Sequence, residues 1–120
     1  TAGASILEAR EGYARVRMRL RPGHLNGVGV VQGGAVFTLA DFAFAIASNS
    51  HGTVAVALNM NLTFHAAPPL GERLTATTRE LHCGRRTATY FIEVTDSRGG
   101  LVATCQALAY RKSQPLPFGG

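Results

Sequence analysis

Apolar and polar residues alternate along several stretches of this chain. Over residues 13–20 the apolar side chains occupy the even positions and Tyr or Arg the odd ones. A period of two predicts a half-buried β-strand with a polar outer face. The alternation recurs over residues 73–82. Further strands are predicted over residues 54–65, which are rich in Val, Leu and Thr, and over residues 87–96 and 101–111. Turn residues separate them, among them Pro68-Pro69-Leu70-Gly71, Gly84-Arg85-Arg86 and Ser97-Arg98-Gly99-Gly100.

One segment, residues 33–48, is apolar on every side and predicts a helix that opens at Gly33-Gly34, after a loop over residues 24–32. Asp41 is its only ionisable side chain. A helix that is apolar all round is normally wrapped by other structure, where a carboxylate is costly to bury. Asp41 therefore needs either a structural partner or a chemical use.

The order of elements is a strand, a long loop, a helix and four strands joined by short turns, which predicts antiparallel neighbours. The fold class is α+β, an antiparallel β-sheet wrapped around one long central apolar helix. Five strands cover such a helix incompletely, so a second copy of the chain is expected to cover the rest. Residues 1–120 form one domain, and residues 113–120 are expected to be a loose tail.

Composition narrows the class of partner. The net charge of +5 allows an anionic partner, but no nucleic-acid motif accompanies it, and Asp41 interrupts the one run long enough to suggest a membrane span. Cys83 and Cys105 lack metal-ligand spacing, and we interpret them as thiols of a cytoplasmic protein. His51, His65 and His82 are interpreted as structural or surface groups, so neither a metal nor a cofactor is expected.

The start of the helix is the first candidate for chemistry. The N–H groups of Gly33 and Gly34 stand at the positive end of the helix dipole, where they can stabilise an oxyanion, although glycines there also permit close packing. Asp41 lies eight residues further on, roughly 12 Å along the axis. One carbonyl cannot reach both Gly33 and Asp41 of the same chain, so a shared site requires two chains.

The spacing of these residues matches a known family. His24, Asn26, Gly29, the pair Gly33-Gly34 and then Asp41 resemble the pattern of the PaaI-like hotdog-fold thioesterases, and the resemblance covers about residues 8–112. It implies a hotdog fold and hydrolysis of an acyl-CoA thioester at a dimer interface. It also implies a homodimer that pairs into a homotetramer, with phenylacetate degradation as a context.

The resemblance also implies roles. Asp41 would attack the thioester or activate water, the Gly33 N–H would polarise the carbonyl, and Asn26 would hold the carbonyl or the water. His24 and Gly34 would lie beside the substrate. Gln32 stands where the family has a His, so it can position a group but cannot titrate.

Two further substrate contacts follow from the same comparison. Asn59 lies near the position where some relatives carry Ser or Thr to orient the water. Arg85 and Arg86 would bind the phosphates of coenzyme A, because guanidinium groups bind phosphate bidentately; the alternative is a solvated turn.

The sequence is also compatible with two other functions. Gln32 fits a non-catalytic acyl-CoA-binding or regulatory protein, and an enoyl-thioester hydratase or dehydratase would require His24 as a second catalytic group. The preferred acyl group is expected to be aryl or of short to medium chain. Its pocket would be lined by aromatic side chains such as Phe37, Phe42, Phe44 and Phe64.

Overall fold

The structure is a computed structural model that describes residues 3–21 and 30–115, with side chains described except at 30–32 and 113–115. One helix, α1 (Val30–Ser48), lies between strands β1 (Ser5–Arg10) and β2 (Tyr13–Arg19) and the four strands that follow it. These are β3 (Thr53–Phe64), β4 (Arg73–Cys83), β5 (Thr87–Thr95) and β6 (Leu101–Pro115). The predicted α+β architecture of an antiparallel sheet around one helix is confirmed.

The six strands form a single sheet in the order β1-β2-β4-β5-β6-β3, with every pair antiparallel. The expectation that β3 and β4 are neighbours is wrong. The backbone N–H groups of His65 and Ala66 bond to the Val102 carbonyl, which carries the chain from β3 along β6. β3 therefore pairs with β6 and forms one edge of the sheet.

The structure differs from the predicted elements at three further places. Strand β1 was not predicted, because its side chains are mostly exposed and show no alternation of burial. The helix begins at Val30 instead of Gly33, so part of the predicted loop is helical. Residues 113–115 were assigned to a loose tail, but they continue β6, with Pro115 opposite Thr53.

The core lies between one face of α1 and the inner face of the sheet. Ala40, Ala43 and Ala47 are fully buried, and their small size lets the helix lie close to the strands. The ring of Phe44 packs edge-on against Tyr90, with centroids 5.4 Å apart. The helix packs chiefly against β2, β4 and β5, so the inner face of β3 and β6 is covered less completely.

The other face of α1 is not covered by its own chain. Its exposed stripe consists of Gly34, Phe37, Thr38, Asp41 and Ala45. The expectation that the strands of one chain cover the helix incompletely is therefore confirmed, since one sheet covers only one side of a helix. Within the described ranges, no helix combines the length and hydropathy needed to cross a bilayer.

Candidate active site

Asp41 lies on the exposed stripe of α1, so the expectation of a buried carboxylate is wrong for one protomer. Within the part of the chain that the structure describes, its carboxylate forms no ion pair and no hydrogen bond. Cys105 on β6 is close enough for the charge of the Asp41 carboxylate to affect its thiol. Burial raises the pKa of the Cys105 thiol, a backbone hydrogen bond at Asn61 lowers it, and the negative charge of Asp41 raises it further. Asp41 thus borders the sparsely covered side of the sheet without a structural partner.

Gly33 is the fourth residue of α1, at the inner limit of the N–H groups that a helix leaves unpaired. A Cβ added there would lie 3.3 Å from Cζ of Phe64, so the glycine permits the end of β3 to approach the helix. A Cβ on Gly34 would meet nothing within 4 Å. Close packing therefore accounts for Gly33 but not for Gly34.

Asn26 and His24 lie outside the described residues, and so does the side chain of Gln32, whose backbone is helical. Asn59 is described and exposed. Its carbonyl oxygen accepts a hydrogen bond of 2.6 Å from Nδ2 of Asn61. Asn61 is paired with the exposed Gln106, on the sheet face opposite to that of the buried Ala107. Within one protomer the structure therefore does not bring Asn59 and Asp41 together.

Arg85 and Arg86 are both exposed in the turn between β4 and β5. They line an open cleft of about 560 Å³ together with Arg111, Lys112, Thr53 and Tyr110. None of these six lining residues is acidic, so the cleft favours anions. Arg111 is anchored there, because its Nη1 donates a 2.6 Å hydrogen bond to the Gly84 carbonyl.

Arg111 and Lys112 were not predicted as members of this cleft. The pairing of β6 with β5 brings them beside a turn more than 20 positions away, and no local pattern signals that contact. Six residues along β6 separate Arg111 from Cys105, which is roughly 20 Å at the rise of an extended strand. The cleft and Asp41 thus stand apart along the sheet.

Four aromatic side chains were expected to line an acyl pocket, but two of them belong to the core and two are exposed. Phe44 is buried in the core and Phe42 is partly buried against it. Phe37 and Phe64 are 41% and 51% exposed, on the open side of α1 and at the end of β3. Only these two remain free to contact a ligand or a second chain.

Fold and site together define a hotdog-fold protein, with a carboxylate on the open face of its central helix. Comparison with known proteins supports the hotdog fold. The family model of the thioesterase superfamily matches residues 28–103. Acyl-coenzyme A thioesterase PaaI of Escherichia coli is 38% identical over 109 residues, 91% of this chain and 78% of that protein. Its solved structure, described as that of a protein from the phenylacetic acid degradation operon, superposes with a TM-score of 0.89 over 95% of this chain and 83% of that one.

Two further solved structures are similar. TT0310 of Thermus thermophilus has 39% identity and a TM-score of 0.87 over 92% of this chain and 93% of that one. A Streptococcus mutans protein bound to acetyl CoA has 25% identity and a TM-score of 0.88 over 95% and 92%. The chain belongs to the thioesterase superfamily, in its PaaI-like hotdog group, and is a thioester hydrolase.

Proposed function

We propose that this protein hydrolyses acyl-CoA thioesters at two equivalent sites between the subunits of a homodimer. The observation that carries the proposal is Asp41, a carboxylate on the open face of the helix that has no ion pair or hydrogen bond among the described residues. The names of the relatives support coenzyme A as the carrier. Hydrolysis by a carboxylate and backbone N–H groups needs no cofactor.

The free edge of β3 supports the dimer. An unpaired edge strand presents a row of N–H and C=O groups to another chain. Beside it the protein exposes Leu58 (56%), Phe64 (51%) and Phe37 (41%). Antiparallel pairing of two β3 strands would cover these side chains and lay the two helices side by side. Further pairing of dimers into a tetramer stays part of the proposal.

In this arrangement the reacting groups come from both chains. The thioester carbonyl accepts a hydrogen bond from the Gly33 N–H of one subunit, and the Asp41 carboxylate of the other removes a proton from water. The oxygen of that water attacks the carbonyl carbon, and collapse of the tetrahedral intermediate breaks the C–S bond. The thiolate takes up the proton that Asp41 removed from water, and the products are the free acid and coenzyme A. Direct attack by Asp41 would pass through an anhydride to the same products.

Asn26 is proposed to hold the carbonyl or the water, and Gln32 to position the same group without proton transfer. The acyl group is proposed to be aryl or of short to medium chain, because Phe37 and Phe64 offer an apolar surface near Gly33. The phenylacetate context of the Escherichia coli relative makes phenylacetyl-CoA the first substrate to assay. A cytoplasmic location is proposed with it and fits two free cysteines.

Free-thiol release by Asp41→Asn tests the mechanism. We expect the rate of hydrolysis to fall by about 10²–10⁴-fold, the usual contribution of a positioned base. The dimer should persist in sedimentation. Glu93→Gln is the matched control, since Glu93 is a partly exposed carboxylate that pairs with Arg79 on the outer face. Undiminished activity in Asp41→Asn would refute the mechanism. Stabilisation of the wild type by acyl-CoA without thiol release would instead indicate a binding protein.

The cationic cleft is proposed to hold the coenzyme A phosphates. Arg85→Ala and Arg86→Ala should raise KM for acyl-CoA and leave kcat nearly unchanged, since the phosphates lie far from the reacting carbonyl. An N-acetylcysteamine thioester lacks the nucleotide and should show no change. Arg98→Ala, in the β5–β6 turn, is the control variant. Equal KM values for all three variants would show that the phosphates bind elsewhere.

A further inference from the structure

A second polar cluster lies beyond the C-terminal end of α1. It consists of His51, in the connection to β3, and of Glu80 and Cys83 on β4. Each offers one potential ligand atom, and these atoms all lie within 4.8 Å of one another. The side chains of His51 and Glu80 are only 15% and 18% exposed. α1 continues for seven residues beyond Asp41, roughly 10 Å along its axis, and the turn that holds His51 follows, so the cluster is separate from the proposed active site.

A β-bulge brings Glu80 and Cys83 to the same face of the sheet. Residues three apart on a regular strand point to opposite faces. The register of β4 against β5 shifts between Glu80 and His82, so Glu80 pairs with Tyr90 and Cys83 with Ala88. Tyr90 and Ala88 are both buried on the inner face. The extra residue at the bulge thus turns a carboxylate and a thiol toward one point.

Hydrogen bonds hold the other groups around that point. Nε2 of His51 lies 2.6 Å from Oε2 of Glu80, and its Nδ1 lies 3.2 Å from a carboxylate oxygen of Glu11. The Tyr90 hydroxyl donates to the same Glu80 oxygen at 2.6 Å. Four chain segments meet here: the β1–β2 turn, the α1–β3 connection, the end of β4 and the middle of β5.

We propose that His51, Glu80 and Cys83 form a binding site for a divalent transition-metal ion of the zinc class. Imidazole nitrogen, thiolate sulfur and carboxylate oxygen are the ligands that zinc takes, whereas magnesium and calcium take oxygen alone. Tetrahedral ligands at zinc bond lengths lie about 3.4–3.8 Å apart. Side-chain adjustments of about 1 Å would therefore close the site. A water molecule supplies the fourth ligand, and the carboxylate of Glu11 at Nδ1 of His51 orients the ring.

Metal binding must displace the proton of the Cys83 thiol, and the surroundings of that thiol both oppose and aid this step. Burial raises the pKa of the Cys83 thiol, the Glu80 charge raises it further, and Arg111 lowers it. Both His51 ring nitrogens face carboxylates, which hold the ring in place. Binding of the metal displaces the proton of the Cys83 thiol, which passes to solvent.

Cobalt(II) titration of chelator-treated protein tests the site. The wild type should bind one ion per chain with a thiolate-to-cobalt charge-transfer band, and zinc should displace it. Cys83→Ala should lose the band, and His51→Gln should bind at least about 10-fold more weakly. His82→Gln and Cys105→Ala are matched controls, because His82 is exposed and Cys105 lies elsewhere in the core, and both should keep band and affinity.

Thermal unfolding of each metal-free variant establishes that it is folded, and bound zinc should raise the Tm of the wild type but not of Cys83→Ala. Absence of one-to-one cobalt binding would overturn the proposal, as would an unchanged band in folded Cys83→Ala. Thioester hydrolysis should persist in the metal-free wild type. The Asp41 and metal experiments therefore fail independently of each other.

Discussion

Leu58→Lys on β3 tests the two-chain site most directly. The register of β3 against β6 shifts between Ala57 and Asn59, so Leu58 has no paired residue on β6. It also lies at the middle of the strand Thr53–Phe64. In an antiparallel pair of β3 strands the middle residue meets its own copy near the two-fold axis. The substitution therefore removes two apolar side chains and places two like charges close together.

The size of the effect follows from exposure. Burial of a Leu side chain contributes about 1.5–3 kcal/mol, and Leu58 is still 56% exposed, so about half of that remains for a partner to supply. Two copies contribute about 2–3 kcal/mol, which corresponds to a dissociation constant weakened about 30- to 150-fold. Repulsion between the lysines adds to this loss.

Sedimentation velocity over a dilution series measures the dissociation constant, and free-thiol release at the same concentrations measures hydrolysis. Both should fall together in Leu58→Lys, because a monomer holds only half of each site. Leu81→Lys is the matched control, since Leu81 is 53% exposed but lies at the bulge of β4. A variant that sediments as the wild type does, or a monomer that hydrolyses at full rate, would refute the reasoning.

Three further predictions concern the protein interior. Tyr90→Phe keeps the ring beside Phe44 but loses the hydrogen bond to Glu80, so the free energy of unfolding in urea should fall by about 1.5–3 kcal/mol. The control Tyr110→Phe, at a residue that is 39% exposed, should change it little, and equal losses in both variants would contradict this. Burial alone raises the pKa of the Glu80 carboxyl, but hydrogen bonds from Tyr90 and His51, with nearby positive charges, hold that pKa below 4.5. The ionised Glu80 therefore stabilises the fold above about pH 4.5, and this stabilisation is lost as pH falls through the pKa of the folded state. Glu80→Gln should flatten the acid limb of stability against pH, and an unchanged limb would argue against that assignment. Leu39→Ala empties a fully buried position and should cost about 2–5 kcal/mol in the same urea assay, so a loss below about 1 kcal/mol would mean that the site collapses.

Local patterns were sufficient for most of the fold. Alternation of burial in β2, β4 and β5 could be predicted because each has one face on the core. β1 could not, since an exposed edge strand carries no such period. The place of β3 beside β6 is a long-range pairing that turn lengths do not encode.

The candidate site was predictable to the same degree. The spacing from Gly33 to Asp41 is local and predicts a site shared by two chains, which stays a prediction. The exposure of Asp41 depends on which side of α1 the sheet occupies, and an apolar pattern without a polar face does not specify that side. The cluster at His51 was missed because it depends on one inserted residue in β4, which reverses the facing of Cys83.

The position of β6 in the sheet has a consequence for biosynthesis. Of the six described strands β6 is synthesised last, yet it lies between β5 and β3. A nascent chain that has emerged only as far as Gly100 therefore holds β3 with both of its edges open. Because non-local strand pairing is slow and open edges associate readily, the interval before β6 emerges is when this chain is most prone to aggregate. Synthesis of β6 closes one edge of β3 and leaves the other open to the proposed second subunit.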